Sequence, residues 1–264
     1  MNQRDNIKKK IDLFKTQYEA FSLPDEIRIN RYIALCGIGS RREVENYILQ
    51  GKVSINGIPI RDLSYKVKKT DLVLLEGKRI VPVTNHIYIA LNKPKGYIVS
   101  RKRFNQKEKI IYDLVPEELQ KKYNLGYAGR LDKMSRGLVI LSSDGIFLYQ
   151  LSHPKYKVLK RYYVQLDESL TLYDFNLLSG RGVLDRGERL KAISINTKNA
   201  EKHIYEVVLM EGKKRHIRRM FESLLYEILD LYRFAIGQFS LEKYPIPEGE
   251  YKEFEPSLIW KETL

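Results

Sequence analysis

The apolar run Leu138-Val139-Ile140-Leu141, entered through Gly137 and left through Ser142-Ser143-Asp144-Gly145, reads as a buried strand. Directly ahead of it stands Gly129-Arg130-Leu131-Asp132-Lys133-Met134-Ser135-Arg136, a short polar loop that sets one carboxylate between two arginines. A fold that buries this strand must hold Asp132 at the margin of its core, an unusual place for an unpaired acid. Such an acid is a candidate nucleophile. The same residues also fit a plain turn, with Asp132 and Ser135 as its capping pair and Arg130 and Arg136 as surface cations.

Charge narrows the possible partners. The 264 residues hold 47 Lys and Arg against 33 Asp and Glu, a net charge of +14, which draws the chain to polyanions. No apolar run approaches the ~20 residues of a membrane span, and Met1 to Pro24 lacks a signal-peptide core, so RNA or DNA is favoured over a membrane. One cysteine, Cys36, excludes an internal disulfide and fits a reducing, cytoplasmic compartment; it reads as a small buried hydrophobe. His86, His153, His203 and His216 have no metal-ligand spacing. Nucleotide-binding motifs are absent as well, so neither a metal nor a cofactor is expected.

Three segments are expected. Residues 1–25 are a basic extension containing Lys8-Lys9-Lys10, with Pro24 as punctuation and a short helix allowed by Ile7, Ile11 and Phe14. In residues 26–85, Ile29, Tyr32, Ile33 and Cys36 fall at helical spacing and Gly37 to Gly39 stop the helix. Ser40-Arg41-Arg42-Glu43 is a capping-box signature for a second helix with Val44, Tyr47 and Ile48 inside, and Asn56-Gly57 joins a β-hairpin. This order resembles the S4-like RNA-binding module. Arg41, Arg42 and Lys52 sit at the two ends of the second helix, where the arginines oppose the macrodipole and a phosphate would satisfy both. A solvated basic helix is the plainer reading.

Residues 87–264 form the larger part. Strands are expected over 138–141, 160–166, 190–195, 203–210 and 228–234, helices near 145–152 and 215–225, and a basic, mobile loop over 101–109. The class is α+β, a largely antiparallel mixed sheet with few helices. In Lys160-Arg161-Tyr162-Tyr163-Val164, alternation puts Lys160, Tyr162 and Val164 on one face, where a tyrosine is ordinarily core. In the 215–225 helix, Ile217, Met220, Phe221 and Leu224 make one stripe and Arg215, Arg218, Arg219 and Glu222 another, either a solvated face or an anion-binding one. Residues 228–237 offer apolar side chains for a core or a pocket wall.

Taken in order, these motifs resemble the ribosomal RNA pseudouridine synthases of the RsuA/RluB-like family, over residues 28 to 240. The departures are Ser135 for a threonine, Ser142-Ser143 for Thr-Asn, and His216 for a Gln or Glu. The resemblance implies isomerisation of uridine in ribosomal RNA by a monomer, without cofactor. It makes Asp132 the nucleophile, acting either through a bond to the nucleoside or at C1′ to release uracil. Arg218 becomes its cationic partner, which favours the charged carboxylate, and Tyr162 the active-site tyrosine that stacks on the base and helps remove the C5 proton. Leu131 and Ile236 would wall the uracil pocket. Arg130 would fill the gap left by the extruded uridine, and Lys160, Arg215 and Arg219 would join Arg41, Arg42 and Lys52 in meeting RNA. The Gly39-Ser40-Arg41-Arg42-Glu43-Val44-Glu45 wording leans towards the large-subunit branch. A non-catalytic RNA-binding assembly factor and an N-glycosidase that stops at free uracil are the rival readings.

Overall fold

Ile29, Tyr32, Ile33 and Leu35 are buried at helical spacing, and Ile29–Leu35 forms helix α1. The structure, a computed structural model, describes residues 25–260. The basic extension expected over residues 1–25 lies, Asp25 apart, outside the described residues. The chain divides into two units after His86.

In the first unit Gly37, at φ +78°, stops α1. Ser40 then opens α2 (Arg41–Leu49) with the expected capping box: the Ser40 N–H donates to the Glu43 carboxylate at 2.8 Å and the Glu43 N–H donates back to Ser40 Oγ. Val44 and Ile48 face inward. Six short strands complete the unit, β1 (Glu26–Arg28), β2 (Val53–Ile55), β3 (Ile58–Ile60), β4 (Lys66–Lys68), β5 (Val73–Leu75) and β6 (Lys78–Arg79). One sheet has the order β3-β2-β5-β6, and β1 pairs with β4. Asn56 and Gly57 both take positive φ, 51° and 84°, in the tight turn from β2 to β3. Cys36 is half-buried, and burial pushes its thiol up to about 12, which keeps it protonated and unreactive.

The second unit contains, in chain order, β7 (Tyr88–Lys93), β8 (Tyr97–Ile98), β9 (Lys109–Ile110), α3 (Glu117–Lys122), β10 (Gly126–Ala128), β11 (Arg136–Ser142), α4 (Gly145–Ser152) and β12 (Lys160–Leu166). It continues with α5 (Leu172–Ser179), β13 (Val183–Asp185), β14 (Glu188–Leu190), β15 (Ser194–Asn199), β16 (Ile204–Leu209), α6 (His216–Glu222), β17 (Ile228–Ile236), β18 (Phe239–Ser240) and β19 (Tyr251–Glu253). Nine strands form the main sheet, in the order β15-β16-β12-β17-β11-β7-β19, with β10 on β11 and β18 on β17. Its ladders are antiparallel except one: β11 lies parallel to β17 over Arg136–Tyr232 and Gly137–Arg233. The class is the α+β arrangement with a mostly antiparallel sheet.

Alternation along β12 buries Lys160, Tyr162, Val164 and Leu166 and leaves Arg161, Tyr163 and Gln165 half-buried. Val139 and Leu141 of β11 join the larger core on one side of the sheet. Leu138 and Ile140 join a second core, where α4 and the chain after β17 pack. A cluster of this size on both sides is why the 138–141 run is apolar throughout.

Three expectations are corrected. The strand expected over 190–195 is split, because β14 turns back on β13 and only Ser194 onward joins the sheet as β15. The helix expected over 215–225 is shorter, since Arg215 and Leu225 take left-handed φ, +52° and +68°. The 101–109 loop is pinned by arginines: Arg103 donates to the Glu108 carbonyl at 2.6 Å and pairs with Asp113, and Arg101 donates to the Leu125 carbonyl. No helix among the described residues is long and apolar enough to cross a membrane.

Candidate active site

Gly129, at φ +70°, turns the chain out of β10 into the 129–135 loop, and the Ser135 N–H closes that loop on the Asp132 carbonyl at 3.0 Å. The loop forms one wall of a pocket. Lys160 and Tyr162 of β12, the turn Gly212–Arg215, the first residues of α6, and Leu231 and Arg233 of β17 line the rest.

Asp132 faces this pocket with its side chain 41% exposed, and Arg218 Nε, from α6, lies 3.6 Å from its Oδ2. The Arg218 side chain is 13% exposed and is steered by a donation from Nη2 to Ser135 Oγ at 3.3 Å. Ser135 is fully buried. Its hydroxyl thus ties the acid's loop to the partner cation, a role that either Ser or Thr chemistry supplies. Tyr162 and Leu131 are buried in the pocket wall, and Arg130 stands exposed at its rim. Asp132, Tyr162, Arg218, Leu131 and Arg130, separated by up to 88 positions in sequence, are therefore brought to one cavity.

The loop is also held from beneath. Lys93, fully buried at the end of β7, donates to the carbonyls of Pro94 at 2.9 Å and Lys133 at 3.3 Å, and the Gly96 N–H reaches the same Lys133 carbonyl at 2.8 Å. Arg233 donates from Nε to the Leu138 carbonyl at 2.7 Å. At Gly137, φ +108°, a Cβ would stand 2.3 Å from the Arg233 carbonyl oxygen, so only glycine lets β11 approach β17 here.

Three sequence assignments change. Arg219 is 10% exposed, between Asp185 and Glu188 of the β13–β14 hairpin, so it clamps that hairpin to α6 and is not open to phosphate. Lys160 is buried, with Nζ on the Val158 carbonyl at 3.1 Å, out of reach of an RNA backbone. Ile236 belongs to the second core with Phe239, Leu241, Ile246 and Ile259, because the chain after β17 folds over that end of the strand; Leu231 lines the pocket instead. Arg215 is exposed at the rim and pairs with Glu222 at 2.7 Å. In the first unit Arg41 and Arg42 are exposed on α2, and Lys52 pairs with Glu76 at 2.9 Å. Lys93 and Arg233 were missed by sequence reasoning. The signal for Arg233 was a lone cation inside the apolar half of the 228–236 strand.

Burial, and next the neighbouring Arg233, push both Lys93 and Lys160 down to about 8. An unfolded chain keeps these lysines protonated up to about 10.4, so between about pH 8 and pH 10 the unfolded state binds more protons and stability rises with pH. Thermal melts from pH 7.5 to 9.5 are expected to show a Tm that climbs, with a smaller climb in Lys160→Met. A flat or falling Tm in that window refutes the shared burial of the two charges. His216 is buried beside the pocket, and burial pushes its ring down, keeping it neutral at pH 7.

The family model for RNA pseudouridylate synthase matches residues 87–223, and the model for the S4 domain matches residues 27–73. The chain is 31% identical over 234 residues to "Ribosomal large subunit pseudouridine synthase B" of Bacillus subtilis (strain 168), covering 87% of this chain and 92% of that protein. It is 34% identical over 234 residues to "Dual-specificity RNA pseudouridine synthase RluF" of Escherichia coli O157:H7, covering 88% and 77%. To "Ribosomal small subunit pseudouridine synthase A" of Pasteurella multocida (strain Pm70) it is 29% identical over 226 residues, covering 86% and 95%. Among solved structures, a pseudouridylate synthase crystal structure superposes with a TM-score of 0.62 at 27% identity, covering 88% of this chain and 98% of that one.

Proposed function

The chain belongs to the RNA pseudouridylate synthase family and carries an S4 domain, and on that premise we propose that it isomerises a uridine of ribosomal RNA with Asp132 as nucleophile. The observation that carries the residue assignment is the Asp132 carboxylate facing a pocket with Arg218 at 3.6 Å and Tyr162 in the wall.

Pseudouridine formation breaks the N1–C1′ bond of uridine, joins C5 to the same C1′, and moves one proton from C5 to N1 by way of solvent. Nothing is added or oxidised. Asp132 acts on the nucleoside, either through a transient bond to it or at C1′, and drives detachment of uracil, and Arg218 holds the carboxylate in position throughout. Tyr162 stacks on the extruded base. Arg130, at the rim, takes the space that the uridine leaves, which offsets part of the few kcal/mol of unstacking. Exposed Arg215 meets a flanking phosphate. Tritium release from C5-labelled uridine in ribosomal RNA, together with pseudouridine recovered in the product, is the direct test. Free uracil in place of pseudouridine would favour an N-glycosidase.

Residues 26–85 are assigned to RNA recognition and residues 87–264 to chemistry. The large subunit is the favoured substrate, supported by the wording of residues 39–45 and by one relative named for that subunit, while another relative is named for the small subunit. A pseudouridine map of ribosomal RNA from cells lacking the protein identifies the target. Exposed Arg41 and Arg42 are assigned to phosphate contacts. In the full chain, Arg41→Gln with Arg42→Gln is expected to weaken RNA binding and to flatten the slope of log affinity against log salt by roughly 1 to 2, because fewer counterions are released. Single-turnover rate at saturating RNA is expected to stay unchanged. An unaltered slope would remove the two arginines from the RNA interface.

A further inference from the structure

We propose that Arg233 is a further catalytic residue, whose guanidinium donates a hydrogen bond to a carbonyl oxygen of uracil as the base detaches and becomes an anion. The proposal rests on the pseudouridine synthase reading of this pocket.

Arg233 is 2% exposed and lines the cavity that Asp132 faces. Its Nε is engaged by the Leu138 carbonyl, whereas its buried Nη2 has no hydrogen-bond acceptor among the described residues. Its Nη1 lies against the catalytic loop: a Cβ at Gly129 would be 3.8 Å away. A buried charge without a partner is costly, and three partly buried arginines of this unit have carboxylates, Asp230 beside Arg136, Asp132 beside Arg218, and Asp185 with Glu188 beside Arg219, while the half-buried Arg161 rests on the Phe234 ring and the Gly237 carbonyl. Among the described residues no carboxylate lies within 4 Å of Arg233. Instead its neighbours include Lys93 and Lys160, two more buried cations. Asp132 is the one acid in the pocket lining, against Lys160, Arg218, Arg233 and the cations of the rim. This arrangement is matched to an anion entering the pocket.

The reaction makes such an anion. When C1′–N1 breaks, its electron pair moves to N1 and is delocalised over O2 through the amide and over O4 through the C6–C5 double bond. A guanidinium N–H aimed at one of these oxygens gains strength as the charge appears. When C5 bonds to C1′, loses its proton to a base and N1 takes a proton from water, the oxygen is again an ordinary carbonyl. Phosphate is the competing anion, and the exposed rim cations are better placed for it than a guanidinium on the pocket floor.

Sulfur is a weaker hydrogen-bond acceptor than oxygen, which separates contact from mere architecture. Single-turnover rates are measured for the full chain and for Arg233→Gln and Arg233→Lys, at saturating ribosomal RNA transcripts carrying uridine, 2-thiouridine or 4-thiouridine, each tritiated at C5. The wild-type protein is expected to slow on one of the two thio substrates. Arg233→Gln is expected to be about 10²-fold slower on uridine, the usual loss for one oxyanion donor, and no longer to discriminate between oxygen and sulfur at that position. An equal fall on all three substrates would assign Arg233 to architecture and overturn the proposal, as would a variant whose main defect is RNA affinity with a flatter salt slope. Should both variants fail to fold, the wild-type comparison decides alone, since indifference to both sulfurs also overturns it. Wild-type protein inactive on uridine itself would instead refute the underlying reading.

Discussion

Asp132→Asn is expected to abolish tritium release from C5-labelled ribosomal RNA, with a loss of about 10⁴-fold or more, while RNA affinity stays the same or tightens slightly. The substitution is nearly isosteric, and the 129–135 turn closes through the Asp132 backbone carbonyl, which asparagine keeps. The side chain is 41% exposed, so the fold loses little. What disappears is the oxygen proposed as nucleophile and the charge opposite Arg218. Affinity does not suffer because a negative charge is removed from a pocket that otherwise presents cations to a polyanion. Filter binding and single-turnover release on the same preparation make the comparison. Release at more than about one part in a hundred of the wild-type rate would reject Asp132 as nucleophile.

The adjacent arginines 218 and 219 are expected to fail in opposite ways. Arg218→Met removes the cation 3.6 Å from Asp132, leaves the Ser135 hydroxyl without its donor, and is expected to lower the chemical rate by about 10²- to 10³-fold with Tm nearly unchanged. Arg219→Met leaves Asp185 and Glu188 facing each other across the β13–β14 turn without their shared cation. It is expected to lower Tm clearly while keeping the saturating rate within a few-fold, because Arg219 does not line the pocket. Comparable rate losses in the two variants would refute this division.

Sequence patterns carried far where a side chain's role depends on its own strand or helix. The alternation of 160–166 located Tyr162 on the inner face, and the 145–152 segment located α4; the cap belongs to the structure, where the Asp144 carboxylate accepts from the N–H groups of Ile146 and Phe147. Helical spacing groups Arg215, Arg218 and Arg219 on one face, but Arg215 stands ahead of α6 in a left-handed turn, so only Arg218 and Arg219 belong to the helix. Spacing within a helix cannot name the partner that a distant segment brings, and here a hairpin more than 30 residues upstream supplies the acids that take Arg219 and leave Arg218 for Asp132. The same limit explains Ile236. Its apolar strand is equally compatible with either face, and the residues that cover it, such as Ile259, arrive only after the strand ends. Lys160 shares the face of Tyr162 by alternation yet is expected at RNA, and Lys93 carries no mark of a role, because nothing local announces that a loop and a second strand will close over them.

In a chain growing from its N-terminus, β7, β11 and β12 are complete well before β17, and the parallel contact that seats Gly137 against Arg233 joins residues about 95 positions apart. Pairings of that range form slowly, since the intervening chain must be ordered before any contact rewards it. Until Ile228–Ile236 is inserted, the Asp132 loop lacks the Leu138 anchor and the pocket lacks Leu231 and Arg233. On the proposed reading, catalytic competence waits for β17: a nascent or clipped product ending before residue 228 keeps the first unit with its S4 domain, yet it carries Asp132 on an unbuilt wall and is expected to leave RNA unmodified.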